Sequence, residues 1–194
     1  LLFMVSRVRA ATPANDVEGR WVKTTPASID AVKFSAAAYF FGRKLHQELG
    51  VPVGLIHSAF GGTRIEPWTP KAAFESMPSL VKFAEEIKAS PAKPPEMQLA
   101  SLYNGMVAPL APYAMKGVIW YQGESNIIEY TDGVIYADKM TALVEGWRKD
   151  FKQNLSFYYV QVAPHLYHVA RPSTNVSPEE TPRLWEAQTA SMRL

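Results

Sequence analysis

A glutamine and a glutamate, Gln122 and Glu124, follow an apolar run at residues 116–121 and are separated by one glycine. Such an abrupt change is typical of a buried strand that ends at an active site, and residues two apart on a strand face the same side. The amide of Gln122 can donate hydrogen bonds, while the carboxylate of Glu124 can accept them or act in acid–base catalysis. Gly123 would allow the backbone to pass close to a ligand. We therefore expect a donor and an acceptor to share one site.

Two successive glycines, Gly61 and Gly62, follow a second apolar run at residues 51–58. Glycines permit backbone conformations that aim N–H groups at an anion or at a developing oxyanion. A tight turn between a strand and the next helix is the simpler interpretation of such a pair. Together with a glycine N–H, Gln122 could complete an oxyanion hole, and Glu124 could orient a histidine that acts as general base.

His165 and His168 follow a third predicted strand, at residues 155–163. Two histidines three residues apart could bind a metal, but no Asp, Glu or His pattern nearby in the sequence completes a zinc site. We therefore expect these side chains to contact substrate or to line the wall of the site, and we expect no metal and no cofactor.

Three residues beyond the glycine pair are candidates either for sugar contacts or for a surface ion pair. The indole of Trp68 could stack on the apolar face of a sugar, and Arg64 could bind the carboxylate of an acidic sugar. Alternatively, Arg64 and Glu66 pair with each other at the surface.

The predicted elements place these polar groups at the ends of strands. Strands are predicted at residues 1–9, 51–58, 117–122 and 155–163, and helices at 34–49, 79–87, 140–151 and 181–194. Ser35 and Gly50 are the start and stop signals of the helix at 34–49. Residues 11–30 are predicted as loop, residues 70–112 as short helices interrupted by prolines, and residues 91–95 as a connector.

Strands and helices alternate without hairpin signals, which favours an α/β fold with an open parallel sheet and helices on both faces. Ligands bind outside the carboxyl ends of the strands in such a sheet. We therefore expect the three polar groups to meet at one edge of the sheet.

Composition limits the classes of function. The 194 residues suffice for a single domain, 1–194, and the absence of cysteine excludes disulfides and thiolate chemistry. The net charge is only +2 and no run of Lys or Arg occurs, which argues against a nucleic-acid partner. The apolar residues 1–5 are too few for a signal peptide or a membrane span, so no membrane association is expected. The chain starts at Leu1 and ends at Leu194 inside an amphipathic pattern, so we interpret it as a fragment truncated at both ends.

Four blocks of sequence resemble, in the same order, those of the sialate O-acetylesterase family within the SGNH-type carbohydrate esterases. The most specific block consists of Trp120, Tyr121, Gln122, Gly123, Glu124, Ser125 and Asn126. The other three lie at residues 34–42, 52–68 and 102–110, the last of which contains Asn104. The similarity covers essentially the whole chain.

The resemblance implies a serine esterase that removes O-acetyl groups from sialic acid or related sugars, on a three-layer, flavodoxin-like fold. It implies an oxyanion hole made by the nucleophile's own N–H, by Gly61 or Gly62, and by Gln122. It also implies that Glu124 lies close to the catalytic histidine. Acetylated sugars or glycans are the expected partners, Asn104 and His165 are candidate substrate contacts, and a periplasmic or secreted location is expected.

Two blocks of the family pattern are missing from the sequence. The family's nucleophile occurs in a Gly-x-Ser-Asn block before the first segment seen here, and its histidine in an Asp-x-x-His block after the last. No Asp-x-x-His occurs in this sequence, and the one Gly-x-Ser-Asn match, at residues 123–126, lies inside the block that starts at Trp120. Ser125 lacks the second glycine of a Gly-x-Ser-x-Gly elbow because position 127 is Ile127, so a turn or cap is its expected role. These 194 residues alone are therefore expected to be inactive. Two alternatives remain open: a glycosidase that uses Glu66 and Glu124 as its carboxylate pair, and an inactive sugar-binding module.

Overall fold

A computed structural model describes residues 1–89, 98–130, 135–170 and 176–193 of the chain. The strands in this part are β1 (Leu2–Met4), β2 (Trp21–Val22), β3 (Leu55–His57), β4 (Gly117–Trp120) and β5 (Ser156–Tyr159). The helices are α1 (Pro26–Val32), α2 (Ala36–Leu49), α3 (Lys71–Ser76), α4 (Val81–Ala89), α5 (Ser101–Met106), α6 (Glu124–Tyr130), α7 (Tyr136–Phe151), α8 (Tyr167–Ala170) and α9 (Glu180–Ala190). Single 3₁₀ turns occur at Glu66–Trp68, Pro78–Leu80, Ala108–Leu110 and Ser191–Arg193.

The strands form two sheets in the described part of the chain. In the first, β1 lies between β2, which is antiparallel to it, and β3, which is parallel. The second consists of β4 and β5 in parallel register. The predicted α/β class and the parallel pairing are thus confirmed. The prediction of one purely parallel sheet is not, because β2 runs antiparallel to β1 and the strands divide into two sheets.

Helix α2 has the bounds that its sequence signals predict. The Ser35 hydroxyl accepts a hydrogen bond from the backbone N–H of Ala38 at 3.3 Å, which satisfies one of the donors at the helix start. The helix ends at Gly50, whose φ of 64° lies in the left-handed region. Gly42 allows α2 to lie close to β3, because an added Cβ would be 2.7 Å from the Leu55 side chain.

The segment at residues 11–30 is not the continuous loop that its composition predicts. It contains β2, whose Trp21 ring lies 5.3 Å from that of Phe3 on β1, and the start of α1. Thr25 and Ser28 cap α1 reciprocally, each side chain accepting a hydrogen bond from the other's backbone N–H. Both elements escape a search for periodicity because β2 has two residues and α1 buries none of its side chains.

Helix α7 is the centre of the apolar core. Its predicted apolar stripe is confirmed as the buried face, made of Met140, Leu143, Val144, Trp147 and Phe151. The α7 helix packs against both α3 and α9. The strands are shorter than predicted, and the predicted connector at residues 91–95 lies outside the described residues.

Candidate active site

Strand β4 ends at Trp120, and Glu124 is already the first residue of α6. Gln122 therefore lies in the connection between the two elements, and the expectation that both side chains extend from one strand is wrong. Gly123 is buried, and an added Cβ would come within 2.6 Å of Val162 and 2.7 Å of Leu184. This glycine is required for close packing against α9, not for the approach of a ligand.

The amide of Gln122 joins the end of β4 to the loop that follows β3. Its Nε2 donates to Oδ1 of Asn126 at 2.7 Å and to the backbone oxygen of Thr63 at 3.2 Å. Its Oε1 accepts a hydrogen bond from the Tyr136 hydroxyl at 2.8 Å. The structure thus brings the predicted glutamine and the predicted glycine loop together, although 59 residues separate Gln122 from Thr63 in the sequence.

The glycine pair lies on the open side of this junction. Gly61 and Gly62 are both exposed, and a Cβ built on either would have no atom within 4 Å. Gly62 has a φ of 76°, which favours glycine. Within the described part of the chain, no hydrogen bond uses the N–H of either glycine. Two N–H groups are therefore accessible to an incoming anion.

The loop that carries the glycines is held by the residues after it. The Thr63 hydroxyl donates to the Phe60 carbonyl at 2.6 Å and accepts from the Trp68 indole N–H at 2.9 Å. The Trp68 carbonyl in turn accepts a hydrogen bond from Trp147 of α7 at 3.0 Å. The loop is thus connected to the central helix of the core.

A buried carboxylate lies beneath the loop. Glu66 is 1% exposed, and its Oε1 lies 2.7 Å from Nζ of Lys139, which is 0% exposed, and 3.9 Å from Nη1 of Arg64. Asn126 donates to the same carboxylate, at 3.3 Å from Oε2. Burial alone would raise the pKa of Glu66, but attraction to Lys139 and then Arg64 outweighs it, so the pKa is lowered. Glu66 is therefore ionised at neutral pH.

Lys139 was not among the residues predicted for the site. Its position is the signal that could have revealed it, because a lysine on the apolar stripe of α7, between Tyr136 and Leu143, must be buried with the stripe. A buried ammonium requires an anionic partner, which here is Glu66. The predicted pairing of Arg64 with Glu66 is found, but in the interior and not at the surface.

Two predicted sugar contacts are not supported by this geometry. Arg64 is 2% exposed beside Glu66, and Trp68 is 4% exposed with its indole N–H bonded to Thr63. A sugar could reach either side chain only after the surrounding residues had moved. Both residues instead support the loop that presents the glycines.

Asn104 of α5 holds the loop that follows β1. Its Nδ2 donates to the carbonyls of Ala10 and Ala11 at 3.2 and 3.1 Å, and its own carbonyl accepts from Ala14. Both amide protons are therefore used by backbone oxygens, and the substrate contact at Asn104 stays a prediction.

The third strand end, after β5, meets the second. The Val160 N–H donates to the Trp120 carbonyl at 2.8 Å, which continues the β4–β5 pairing by one residue. Burial raises the pKa of the Tyr167 hydroxyl, and the negative charge of Glu124 raises it further. The carboxylate of Glu124 thus lies near Tyr167, at the edge where β4 and β5 end.

His165 is exposed beside an open cleft. Its ring meets Tyr167 edge-on, with centroids 4.7 Å apart. The cleft has a volume of about 560 Å³ and is also lined by Pro164, Leu166, Pro182 and Trp185. The position of His165 allows it to line the wall of the cleft or to contact a substrate. The side chain of His168 lies outside the described residues.

The described residues add two further observations. No helix among them is both long enough and apolar enough to cross a bilayer. No group of three His, Asp or Glu side chains there is arranged to hold a metal ion.

A glycosidase that uses Glu66 and Glu124 is not supported. A glycosidase acid needs a raised pKa and access to the substrate. Glu66 has a lowered pKa and is enclosed by Lys139, Arg64 and Asn126. It therefore cannot protonate a leaving group at its position.

The chain is thus an α/β protein with a candidate oxyanion site at its strand ends. The site consists of the open N–H groups of the glycine pair, the Gln122 amide bonded to the same loop, and the Glu124 carboxylate. A family model described as "Carbohydrate esterase, sialic acid-specific acetylesterase" matches residues 16–188. The chain belongs to this family, which confirms the resemblance of the four sequence blocks.

Known sequences agree with this assignment. The chain is 35% identical over 158 residues to a sialate O-acetylesterase of Homo sapiens, an alignment that covers 77% of this chain and 29% of that protein. It is 30% identical over 204 residues to a sialate O-acetylesterase of Rattus norvegicus, covering 85% of this chain and 37% of the relative. The chain thus spans about a third of the length of these relatives.

Solved structures show the same fold. A carbohydrate acetylesterase from Xanthomonas citri superposes with a TM-score of 0.80 at 30% identity, covering 100% of this chain and 40% of that one. A protein from Arabidopsis thaliana superposes with a TM-score of 0.51 at 19% identity, covering 98% of this chain and 63% of that one, and this likeness concerns the fold alone.

Proposed function

We propose that this chain forms the oxyanion-binding part of an acetylesterase that removes acetyl groups from sialic acid or related O-acetylated sugars. The observation that carries the proposal is the bond from Nε2 of Gln122 to the Thr63 carbonyl, because Thr63 directly follows Gly61 and Gly62, whose N–H groups make no hydrogen bond in the described part of the chain. Membership of the carbohydrate esterase family supports the choice of ester and sugar.

The chemistry is acyl transfer through a serine. The serine oxygen adds to the acetyl carbonyl carbon while a histidine takes the serine proton, and the carbonyl oxygen takes up the negative charge. The sugar alcohol then leaves with a proton from a histidine, and water hydrolyses the acetyl-serine to acetate. No Asp-x-x-His block occurs in these 194 residues, and the one Gly-x-Ser-Asn match, at residues 123–126, lies in the block that supplies Gln122 and Glu124 and not in the place of the family's nucleophile block. We therefore propose that the serine nucleophile and the histidine base lie in other parts of the complete gene product.

Gln122 and one glycine stabilise the oxyanion in this proposal. Of the two bonds that Nε2 of Gln122 makes, the bond to the Thr63 carbonyl is the longer, at 3.2 Å against 2.7 Å. The proton of the longer bond is the one that turns to the oxyanion, while the bond to Asn126 continues to hold the amide. Gly61 and Gly62 are equally open, so either N–H can be the second donor.

Glu124 has a supporting role in this mechanism. Its carboxylate, near Tyr167 at the edge where β4 and β5 end, orients the histidine and stabilises the cation that forms when the histidine takes a proton. A carboxylate in that role acts through the histidine and does not itself attack the substrate.

The complete domain is proposed to have a three-layer, flavodoxin-like sheet. The parallel pairs β1–β3 and β4–β5 support this arrangement, and so does the bond between Gln122 and Thr63, which joins the loops that follow β4 and β3. An experimental structure in which the two sheets pack face to face would contradict it.

The test measures acetate release by the complete gene product from O-acetylated sialic acid. We expect a serine-directed phosphonate to abolish the activity, and Gln122→Ala to lower kcat by about 10²-fold because an oxyanion donor is lost. The matched control is Gln47→Ala, at an exposed glutamine of α2, which should leave kcat unchanged.

Other outcomes would select the alternatives. Cleavage of glycosides without labelling by the phosphonate would replace the esterase with a glycosidase. Sugar binding without acetate release would leave a binding module. An unchanged kcat in Gln122→Ala, with an active enzyme, would remove Gln122 from the oxyanion hole but keep the esterase.

A further inference from the structure

A chain of hydrogen bonds with one direction runs from Trp120 to Glu66 through the interior. The Trp120 indole donates to the Tyr136 hydroxyl, which donates to Oε1 of Gln122. Nε2 of Gln122 donates to Oδ1 of Asn126, and Nδ2 of Asn126 donates to Glu66. We propose that this series of hydrogen bonds fixes the Gln122 amide with its N–H₂ group toward the glycine loop, which makes Tyr136 and Asn126 positioning residues. The proposal rests on the oxyanion role of Gln122.

The Trp120 end of the hydrogen-bond series is fixed by a group that can only donate. An indole N–H has no acceptor atom, so the Tyr136 oxygen must accept from it, at 3.2 Å, and must direct its own proton elsewhere. Among the described residues, the nearest acceptor is Oε1 of Gln122 at 2.8 Å. The Gln122 carbonyl, at 3.1 Å from the same hydroxyl, also accepts from Gln188. The oxygen of the Gln122 amide is therefore the atom that faces Tyr136.

The Glu66 end of the hydrogen-bond series is fixed by a group that can only accept. Glu66 is ionised because Lys139 lies 2.7 Å from it, and an ionised carboxylate has no proton to donate. Asn126, which is 0% exposed, must turn its N–H₂ to that carboxylate. Its Oδ1 then faces the Ile65 N–H at 3.1 Å and Nε2 of Gln122 at 2.7 Å.

Reversing the amides would turn attractive contacts into repulsive ones. Oε1 of Gln122 would face the Thr63 carbonyl, and Nδ2 of Asn126 would face the Ile65 N–H. Oδ1 of Asn126 would face the carboxylate of Glu66. Buried polar groups without partners are costly, so the interior permits one orientation of Gln122.

This arrangement prepares the donor before any substrate arrives. A donor whose amide is already oriented has only to exchange the Thr63 carbonyl for the oxyanion when charge develops on the substrate, and such limited reorganisation is the main requirement of an oxyanion hole. The charge pair of Glu66 and Lys139 thus acts on catalysis through Asn126 and Gln122, without touching the substrate.

The test removes one hydroxyl from the hydrogen-bond series and, in a control variant, a matched hydroxyl from elsewhere in the core. Tyr136→Phe deletes the donor to Oε1 of Gln122 and keeps the ring. Tyr103→Phe is the control, because the Tyr103 hydroxyl donates to Asp150 at 2.5 Å and takes no part in the hydrogen-bond series. In the complete gene product we expect Tyr136→Phe to lower kcat about tenfold with little change in KM, since the amide is no longer fixed. Tyr103→Phe should keep kcat within about twofold even if both variants lose thermal stability.

A second readout does not depend on activity. With isotope-labelled glutamine, NMR of the wild-type protein should show contacts between the Gln122 side-chain N–H₂ and the Ile65 N–H, because both donate to the same oxygen. Contacts of that N–H₂ with the Tyr136 ring instead would overturn the proposed direction, whether or not acetate is released. In an active enzyme, an equal kcat for both variants would overturn the positioning role and leave the esterase intact. Absence of acetate release would refute the proposed function alone.

Discussion

The strand ends after β4 and β5 lie side by side but are built in opposite ways. After β4, Asn126 is buried and Gln122 is half-buried, and each side chain both donates and accepts hydrogen bonds with partners on other elements. After β5, His165 is exposed, and Leu166 and Val169 are each 63% exposed beside an open cleft. The first region holds its polar groups in one geometry, whereas the second offers an adaptable surface to a ligand.

The difference predicts two kinds of mutational effect. Where buried polar groups depend on one another, removal of one leaves its partners without hydrogen bonds, so the fold and the activity suffer together. Where side chains face a cleft, their removal changes ligand binding and leaves the fold intact. Substitutions in each region test whether this contrast is real.

The largest effect is expected from Lys139→Met. The substitution keeps the length of the side chain but leaves the carboxylate of Glu66 buried without its closest partner, 2.7 Å away. Breaking a buried ion pair in this way should lower the free energy of unfolding by about 3–5 kcal/mol. Urea unfolding monitored by tryptophan fluorescence measures the change.

Lys44→Met is the matched control for that substitution. Lys44 also lies 2.6 Å from a glutamate, Glu48, but both side chains are exposed on α2. Loss of this pair should change the free energy of unfolding by less than about 0.5 kcal/mol. Equal losses in the two variants would show that the interior pair is no more important than the surface pair.

Acid should weaken the same region. The pKa of Glu66 in the folded protein lies below its ordinary value of 4.5, so the unfolded chain binds more protons than the folded one as the pH falls below 4.5. The stabilisation is present above that value and is lost as the pH falls through the folded pKa. Thermal unfolding followed between pH 7 and pH 3 should show this decline, and Glu66→Gln should show a shallower one below 4.5.

A second group adds to the acid dependence at higher pH. Burial and then the charge of Arg7 lower the pKa of His57 below its ordinary value of 6.5. The unfolded chain therefore takes up the proton first, and stability falls as the pH drops below 6.5. His57→Gln should remove this earlier part of the decline only. Persistence of the full decline in both variants would assign it to other groups.

The sequence predicts those parts of the molecule whose signals are local. Helix α2 has a cap, an apolar period and a terminal glycine within sixteen residues, and the buried face of α7 follows from its spacing. Gln122 and the glycine loop can be recognised because polar residues follow apolar runs. Apolar periodicity does not predict the elements β2 and α1, because they are short and contribute few buried residues.

Pairings between distant segments are beyond such signals. Glu66 and Lys139 are 73 residues apart, and nothing near either residue identifies the other. The burial of Arg64 and Trp68 depends on tertiary packing, and the same two residue types occur on protein surfaces around sugars. The position of Gln122 was thus predictable, whereas the partners that fix its amide were not.

A smaller effect is expected in the glycine loop, which the region after β4 contacts through Gln122 and Thr63. Gly62 has a φ of 76°, so Gly62→Ala should cost about 1–2 kcal/mol of stability because a Cβ is strained there. Gly61 lies outside the left-handed region and has open space around it, so Gly61→Ala should cost much less. Thermal unfolding of both variants measures the difference. Equal costs would mean that the loop adopts another backbone conformation in solution.

The smallest effect on stability is expected from His165→Ala. The ring is exposed and contacts Tyr167 only edge-on, so the free energy of unfolding should change by less than about 0.5 kcal/mol. If His165 contacts the sugar, KM should rise while kcat stays the same, because binding is lost equally in the ground state and the transition state. Steady-state kinetics of the complete gene product and its melting temperature give both quantities. A large fall in the melting temperature would show that the end of β5 is as tightly constrained as the end of β4, and the contrast between the two regions would disappear.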